Sequence, residues 1–337
     1  MQQNRAIIRL DSIRENARLL RSVAGKAKLC AVVKADAYGH GAQAVASVLE
    51  MEADCFAVAL VEEGVSLRVG GTDADILVMQ PPLSEEEILR AVWANLIFTV
   101  SDKRDYEMLL AVLEKYNLCA RCHLKVNTGM NRLGFDSEDF SEFCRGKLSD
   151  RILVEGIYSH LYMPSNAAVA YGQYLRFCDF VPEAEKTFGK LIKHLAATGG
   201  ILADKRFCLD MVRPGIGLYG YLPEGFSGRL PLRKAMRVYS TVAADRIYRY
   251  GGAGYGFFDG EGELSCIRCG YADGFFRSGG IGNINGLCMD SFVSRGKKKY
   301  AEVCVFSDAD EYAKKNGTIS YEALVNVGTR SVRIYEG

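Results

Sequence analysis

Eight short apolar or β-branched runs begin near Leu29, Cys55, Ile76, Leu96, Cys122, Ile152, Leu191 and Phe207, and helical patterns lie between most of them. Strands that alternate with helices are joined by crossovers, not hairpins, so the sheet they build is parallel. Eight such units predict an α/β chain that begins with a closed (β/α)8 barrel of the TIM type. An open doubly wound sheet is the alternative. The glycine-rich dinucleotide fingerprint that usually accompanies it is missing after the first strand. The helical stretches carry signals of their own. Ser12 and Glu15 make a capping-box pattern ahead of an apolar face formed by Leu19, Leu20 and Val23. Ser84 and Glu87 make another ahead of residues 85–93, and Tyr106, Leu109, Leu110 and Leu113 share one face of residues 105–116. The longest helical pattern spans residues 168–186.

After Tyr221 the pattern changes. Pro223, Gly225, Gly228 and Pro231 mark a linker, and beyond it helical periodicity nearly vanishes. Residues 238–247 alternate like a strand, 251–262 are glycine-dense, and 264–269 and 301–306 are strand-like. The expected division is a barrel over residues 1–225 and a mostly β C-terminal domain over 226–337, which the extreme N-terminus is placed to join. With 42 basic and 41 acidic residues the net charge is +1, which leaves no electrostatic footprint for nucleic acid or a membrane surface. No apolar run approaches bilayer-spanning length, and Met1 to Arg5 lack the apolar core of a signal peptide. The eleven cysteines are scattered and odd in number. Cys119 and Cys122 form a C-x-x-C without a second ligand pair, so no metal is expected, and reduced thiols point to the cytoplasm.

Chemistry-bearing residues gather where the apolar runs end. The run Leu29 to Val33 stops at Lys34, and Tyr38, Gly39, His40 and Gly41 follow before a helical pattern over 42–49. The two glycines suit a tight strand-to-helix turn. A lysine at the end of a buried strand either caps that strand at the surface or offers its amine to a carbonyl cofactor. Similar stretches recur at Lys125 to Gly134, at Ser159-His160, at His194 to Thr198 and at Arg213 to Gly220. In the β domain, Gly270 to Gly274 reads GYADG and Cys288 to Asp290 reads CMD. Taken singly, each has a plain structural reading, such as a surface arginine, a histidine at a strand end, or one of 18 tyrosines.

Together and in this order, these stretches resemble the alanine racemase family from about Asn4 to Asp290. Residues 34–41, KADAYGHG, are similar to the family's pyridoxal-phosphate lysine motif without a change. Residues 125–134 resemble its K-x-D-T-G-M-G-R-x-G, with Asn127 and Asn131 where the family has Asp and Gly. Ser159-His160 resembles its T-H, residues 194–198 its H-x-A-N-S with Ala197 for Asn, and residues 213–220 its R-P-G-x-x-x-Y-G.

The resemblance implies a pyridoxal-phosphate-dependent racemase that interconverts L- and D-alanine by two-base proton transfer at Cα, supplying D-alanine for the cell wall. It implies that Lys34 carries the cofactor and acts on one face of the substrate, and that Tyr271 acts on the other. Tyr38, Thr198, Gly215 and Ile216 would hold the phosphate, and His160 would stack on the pyridine ring. Arg132 would meet the cofactor's phenolic oxygen and the substrate carboxylate, with Met289 on the substrate side. Lys125 matches a lysine that is often carbamylated. Arg213 would face the ring nitrogen. A guanidinium cannot accept a proton and repels a pyridinium, which limits delocalisation of the carbanion and favours racemisation over transamination.

A head-to-tail homodimer with shared active sites is also implied. Thr329 falls where the family has a tyrosine that reaches the phosphate, so a serine or broader-specificity racemase is the alternative reading. The chain is shorter than usual between Arg277 and Gly286, in the entry-channel loop. A non-catalytic pyridoxal-phosphate carrier would resemble the barrel alone. A decarboxylase of the same fold would need a carboxylate where Arg213 is expected.

Overall fold

The computed structural model describes residues 4–249, 251–257, 261–277 and 287–337. Residues 278–286, most of the loop expected to be shortened, lie outside the described residues. Eight parallel strands close a barrel: Lys28–Val32, Cys55–Val58, Asp75–Val78, Ile97–Val100, Ala120–Lys125, Ile152–Tyr158, Ile192–Ala197 and Met211–Arg213. The seam is closed by Lys28 opposite Met211 and Leu29 opposite Val212. Strands covered on both faces read as continuous apolar runs, and Leu29 to Val32 and Ile97 to Val100 are buried at every position. The (β/α)8 barrel expected from the alternation is therefore observed, with one displaced strand. The eighth starts at Met211, and Lys205–Phe207 form a 3-10 turn instead. Asp204 caps that turn by accepting from the Arg206 N–H at 2.9 Å, while Phe207 is buried like a strand residue.

Ser12 is not a helix cap. Strand Arg5–Arg9 runs straight into helix Leu10–Ala24, so Ser12 already lies within the helix and is buried there. The helix packs inward through Ile13, Asn16, Ala17, Leu20 and Ala24. Ser84 does cap Glu85–Trp93, accepting from the Glu87 N–H at 3.2 Å, and the Glu87 carboxylate reaches back to the Leu83 N–H. Helix Lys103–Lys115 buries Tyr106, Leu109 and Leu113, and the longest helix is Ala167–Phe188.

The second part of the chain forms a six-stranded sheet around the long strand Met236–Tyr248. Gly262–Ile267, Glu302–Phe306 and the N-terminal Arg5–Arg9 all pair with it antiparallel. Arg5–Arg9 pairs on its other edge, in parallel, with the last strand, Val332–Glu336. Two helices, Ala309–Asn316 and Ser320–Asn326, interrupt this mostly β region; the sequence pattern misses both. Among the described residues no helix is long and apolar enough to cross a membrane.

Asn16 ties the linker to the barrel. Its amide donates to the Leu218 and Arg233 carbonyls at 3.0 and 2.8 Å, and its Oδ1 accepts from the Arg233 N–H at 2.8 Å. Removing it strands these backbone groups without partners. Asn16→Ala is expected to cost on the order of 2 kcal/mol, read as a lower urea midpoint at unchanged slope.

Candidate active site

The carboxyl ends of the barrel strands form the mouth, where such barrels place their chemistry. Lys34 stands two residues beyond the first strand and is half-buried. The chain leaves it through an unusual turn. Ala35, Asp36, Ala37 and Tyr38 have φ of 51, 53, 54 and 53°, four successive non-glycine residues in the left-handed region. Such a conformation costs roughly 1–2 kcal/mol per residue, so surrounding bonds must hold it. Within the turn, the Ala37 N–H donates to the Val33 carbonyl and the Gly39 N–H to the Ala35 carbonyl. Buried His40 lies beneath, its Nδ1 3.0 Å from the Ala37 and Tyr38 carbonyls, so Nδ1 carries the proton and donates. Burial brings His40 down to about 4, which keeps it neutral. Its ring stacks on Tyr219, whose hydroxyl donates to the Val32 carbonyl at 3.0 Å.

This turn sets Tyr38 against the loop after the neighbouring eighth strand. Its hydroxyl lies so near Gly215 that a β-carbon there would come within 2.5 Å of it. Thr198, the first residue after strand Ile192–Ala197, accepts from the Gly215 and Gly217 N–H groups at 3.2 Å each. The Thr198 hydroxyl proton is left to donate. Ile216 opens the 3-10 turn Ile216–Tyr219, where the first N–H groups have no partner within the helix. Tyr38, Thr198 and Ile216 thus gather donors around the Gly215 backbone.

Four cations face the same space. Arg213, 3% exposed, ends the eighth strand. It donates to His194 Nδ1 at 2.7 Å and to the Ser159 and Leu195 carbonyls at 2.7 and 3.3 Å. Since a guanidinium only donates, His194 Nδ1 is unprotonated and Nε2 carries the proton. Nε2 lies 2.8 Å from His123 Nδ1, which accepts, so the His123 proton sits on Nε2, where it has no hydrogen-bond partner among the described residues. Burial and Arg213 hold both imidazoles neutral, His123 at about 3 and His194 well below its usual value. Tyr158 stacks on His194 with its ring 4.6 Å away, and Arg213 and Lys125 approach the same ring at 5.2 and 4.9 Å.

Lys125 ends the fifth strand and is 6% exposed. Burial, then Arg213, Arg132 and Lys34, lower it to about 7. Lys34 is lowered by burial and by Arg132, against an opposing pull from Glu63. Among the described residues, none of Lys34, Lys125, Arg132 and Arg213 forms an ion pair with a carboxylate. His160, half-buried after the sixth strand, is held neutral by burial and by the same four cations. Arg132 is exposed on a loop that Asn127 organises, accepting from the Gly129 and Asn131 N–H groups at 3.1 Å each. Asn131 has φ of 55°, a conformation that asparagine tolerates better than most residues, so it can stand where the family has glycine.

Tyr271 and Met289 lie elsewhere. Tyr271 opens a short 3-10 turn in the β domain, and the Tyr271 and Ala272 N–H groups donate to the Cys288 and Met289 carbonyls at 3.1 and 2.9 Å. The GYADG and CMD segments are therefore neighbours. Tyr271 is 39% and Met289 53% exposed. Among the described residues no hydrogen bond or ring contact joins either side chain to the barrel mouth. Thr329 stands beside the Tyr271 turn, 3.1 Å from where a β-carbon on Gly274 would lie. Two tyrosines flank Tyr38 in this chain, Tyr219 with ring centroids 4.9 Å away and Tyr321 with ring centroids 6.1 Å away. Sequence reasoning misses Tyr321, Glu63, Tyr158 and the His123–His194 pair. A histidine inside an apolar run is the signal for the pair, because a buried imidazole needs a partner.

Barrel and β domain, with a mouth rich in donors and cations, define a two-domain barrel enzyme. Residues 8–223 match the family model described as alanine racemase, N-terminal domain. An alanine racemase of Francisella tularensis is 32% identical over 96% of this chain and 97% of its own length. The structure superposes on the alanine racemase of Streptomyces lavendulae with a TM-score of 0.91 at 27% identity, covering 100% of this chain and 98% of that one. An alanine racemase of Bartonella henselae, solved with covalently bound pyridoxal phosphate, gives 0.87 at 25% identity, each chain fully covered. The chain belongs to the alanine racemase family, whose members are pyridoxal-phosphate-dependent isomerases.

Lys125 carries a testable consequence. It is brought from the ordinary 10.5 to about 7 in the folded protein. Between those values the unfolded chain binds the extra proton, so stability rises with pH. Cofactor-free protein in carbonate-free buffer is expected to melt at increasing temperature as pH climbs from about 7 toward about 10. Lys125→Met should remove that gain and raise the melting temperature at neutral pH. Equal pH slopes in wild type and variant would contradict the burial of this charge.

Proposed function

We propose that this protein interconverts L- and D-alanine with pyridoxal phosphate held on Lys34. The observation that carries the reading is a depressed lysine beside a cradle of donors and three further cations, without a carboxylate partner among the described residues. The cradle fits a phosphate. Gly215 lets the Tyr38 hydroxyl approach its backbone, and Thr198 and the Ile216 N–H offer further donors. When bound, the cofactor supplies an aldehyde that condenses with amines and a ring that withdraws electrons from Cα.

The chain's own residues account for the rest. Arg213, fixed as a donor by His194, would face the ring nitrogen and, as a guanidinium, would not give up a proton to it. Arg132 attracts the substrate carboxylate and the cofactor's phenolic oxygen. His160, held neutral, would stack on the ring. Lys34, with its pKa lowered, takes or returns the Cα proton on one face, and the Tyr271 hydroxyl serves the other, so configuration inverts. Carbamylation of Lys125 would turn a cation beside Arg132 and Arg213 into an anion and relieve their repulsion.

The exposure of Tyr271 and Met289 supports a head-to-tail homodimer in which each β domain closes the neighbour's barrel. Thr329 lies beside the Tyr271 turn and would travel with it into that shared site, where its small side chain leaves room for serine as a second substrate. A decarboxylase would want an acid at the ring nitrogen, where the proposed arrangement has Arg213. The proposed setting is the cytoplasm, and the proposed use is D-alanine for the cell wall.

Purified protein loaded with pyridoxal phosphate is expected to racemise L-alanine in a chiral assay, and borohydride should fix the cofactor to the peptide containing Lys34. Label on another lysine would overturn the assignment. Lys34→Ala and Tyr271→Phe homodimers should each be nearly inactive. Refolding them together should form heterodimers in about half the population, each with one intact site, and restore roughly a quarter of wild-type activity. Heterodimers as inactive as their parents would mean that both residues act within one chain.

A further inference from the structure

Nothing in the family motif explains how four left-handed residues are kept in place directly after the lysine. The bonds that do so come from two distant parts of the chain. On one side, Glu63 Oε1 accepts from the Ala35 N–H at 2.6 Å, while its Oε2 accepts from the Ala59 and Leu60 N–H groups at 2.7 and 3.0 Å. The Glu63 carboxylate thereby ties the start of the turn to the loop after the second barrel strand. On the other side, Arg333 of the last strand pairs with Asp36 at 2.6 Å and donates through Nε to the Gly39 carbonyl at 2.9 Å. The second oxygen of Asp36 accepts from the Ala42 N–H at 2.7 Å. Neighbours of Arg333 close the same face. The Tyr335 hydroxyl occupies the space where a β-carbon on Gly41 would lie, and the Leu324 carbonyl would be 2.5 Å from one on Gly39.

We propose that Arg333, working against Glu63, is a positioning residue for the racemase site: it clamps the left-handed turn so that Lys34 and Tyr38 face the cofactor together. The proposal rests on Lys34 and Tyr38 being the residues that hold pyridoxal phosphate. Arg333 belongs to the strand that pairs with Arg5–Arg9, so the clamp joins the β sheet to the barrel mouth within one chain. One anchored atom is on Asp36 within the turn and the other is the Gly39 carbonyl just after it. A bond to Asp36 alone would hold a side chain; the added bond to the Gly39 carbonyl fixes where the backbone leaves the turn. Lysine could keep the first bond but lacks the fork that makes both.

The test uses the full-length protein in three forms, wild type, Arg333→Ala and Arg333→Lys, with Asp36→Asn as a second way to break the clamp. Amide hydrogen exchange over residues 34–42, measured without cofactor, reads the clamp itself, and titration with pyridoxal phosphate reads its purpose. Arg333→Ala should exchange faster in this segment, bind the cofactor roughly ten- to a hundredfold more weakly and lose kcat by a similar factor. KM for alanine should change less than kcat. Arg333→Lys and Asp36→Asn should fall between. A folded Arg333→Ala or Asp36→Asn protein with wild-type cofactor affinity and exchange overturns the proposal. Wild-type protein that takes up no pyridoxal phosphate overturns the reading of Lys34 instead, and faster exchange in the variants would still support the clamp.

Discussion

Arg213 holds a full charge at the base of the barrel mouth, with no acid beside it among the described residues. A buried cation without partners is untenable, so its protons must find acceptors. They find the Nδ1 of His194 and two strand-end carbonyls. That choice propagates. It fixes the tautomer of His194 and then that of His123, and both rings stay neutral first because they are buried and then because a second charge would meet that of Arg213. Tyr158 presents its face to the same guanidinium and to Lys125, a contact that favours cations without neutralising them.

The lysines complete the arrangement. Burial is the first cause that lowers both lysines, and the neighbouring cations add to it. Each lysine gives up part of its proton affinity. Lys125 yields most, since it is the more deeply buried and faces three cations. Lys34 yields as well, although Glu63 pulls the other way. A phosphate, a phenolic oxygen and a substrate carboxylate are anionic groups of the kind that such a mouth attracts.

Much of this arrangement is legible in the amino-acid sequence. Barrel strands covered on both faces must be apolar throughout, which makes them visible as runs, and side chains that break the run at its carboxyl end are visible as chemistry. Lys34, Lys125, His160 and Arg213 all stand out this way. Phe207 shows the limit. An apolar side chain reports that it is buried, not whether a strand or a 3-10 turn buries it. Ser12 shows another, because a capping pattern carries no information about a strand that enters the helix without a break. The left-handed turn is hidden for a deeper reason. Ala-Asp-Ala-Tyr holds no glycine to announce positive φ, and the Arg333 bond that helps to stabilise it comes from 294 residues away in the chain. Tyr271 is legible through its neighbours Gly270 to Gly274, whereas its distance from the mouth follows only from the packing of the β domain.

The placement of Arg5–Arg9 bears on how the chain can be assembled during synthesis. This strand is made before either of its two partners, which begin at Met236 and Val332. The barrel strands, Lys28 to Arg213, are all made before the first of those partners exists. A nascent chain can therefore close its barrel while the opening strand remains an unpaired edge, available to any other extended segment. Two adjacent isoleucines, Ile7 and Ile8, lie between Arg5 and Arg9 and leave that edge apolar at its centre and charged at both ends. Charge at the rim of a waiting strand is a common guard against premature pairing.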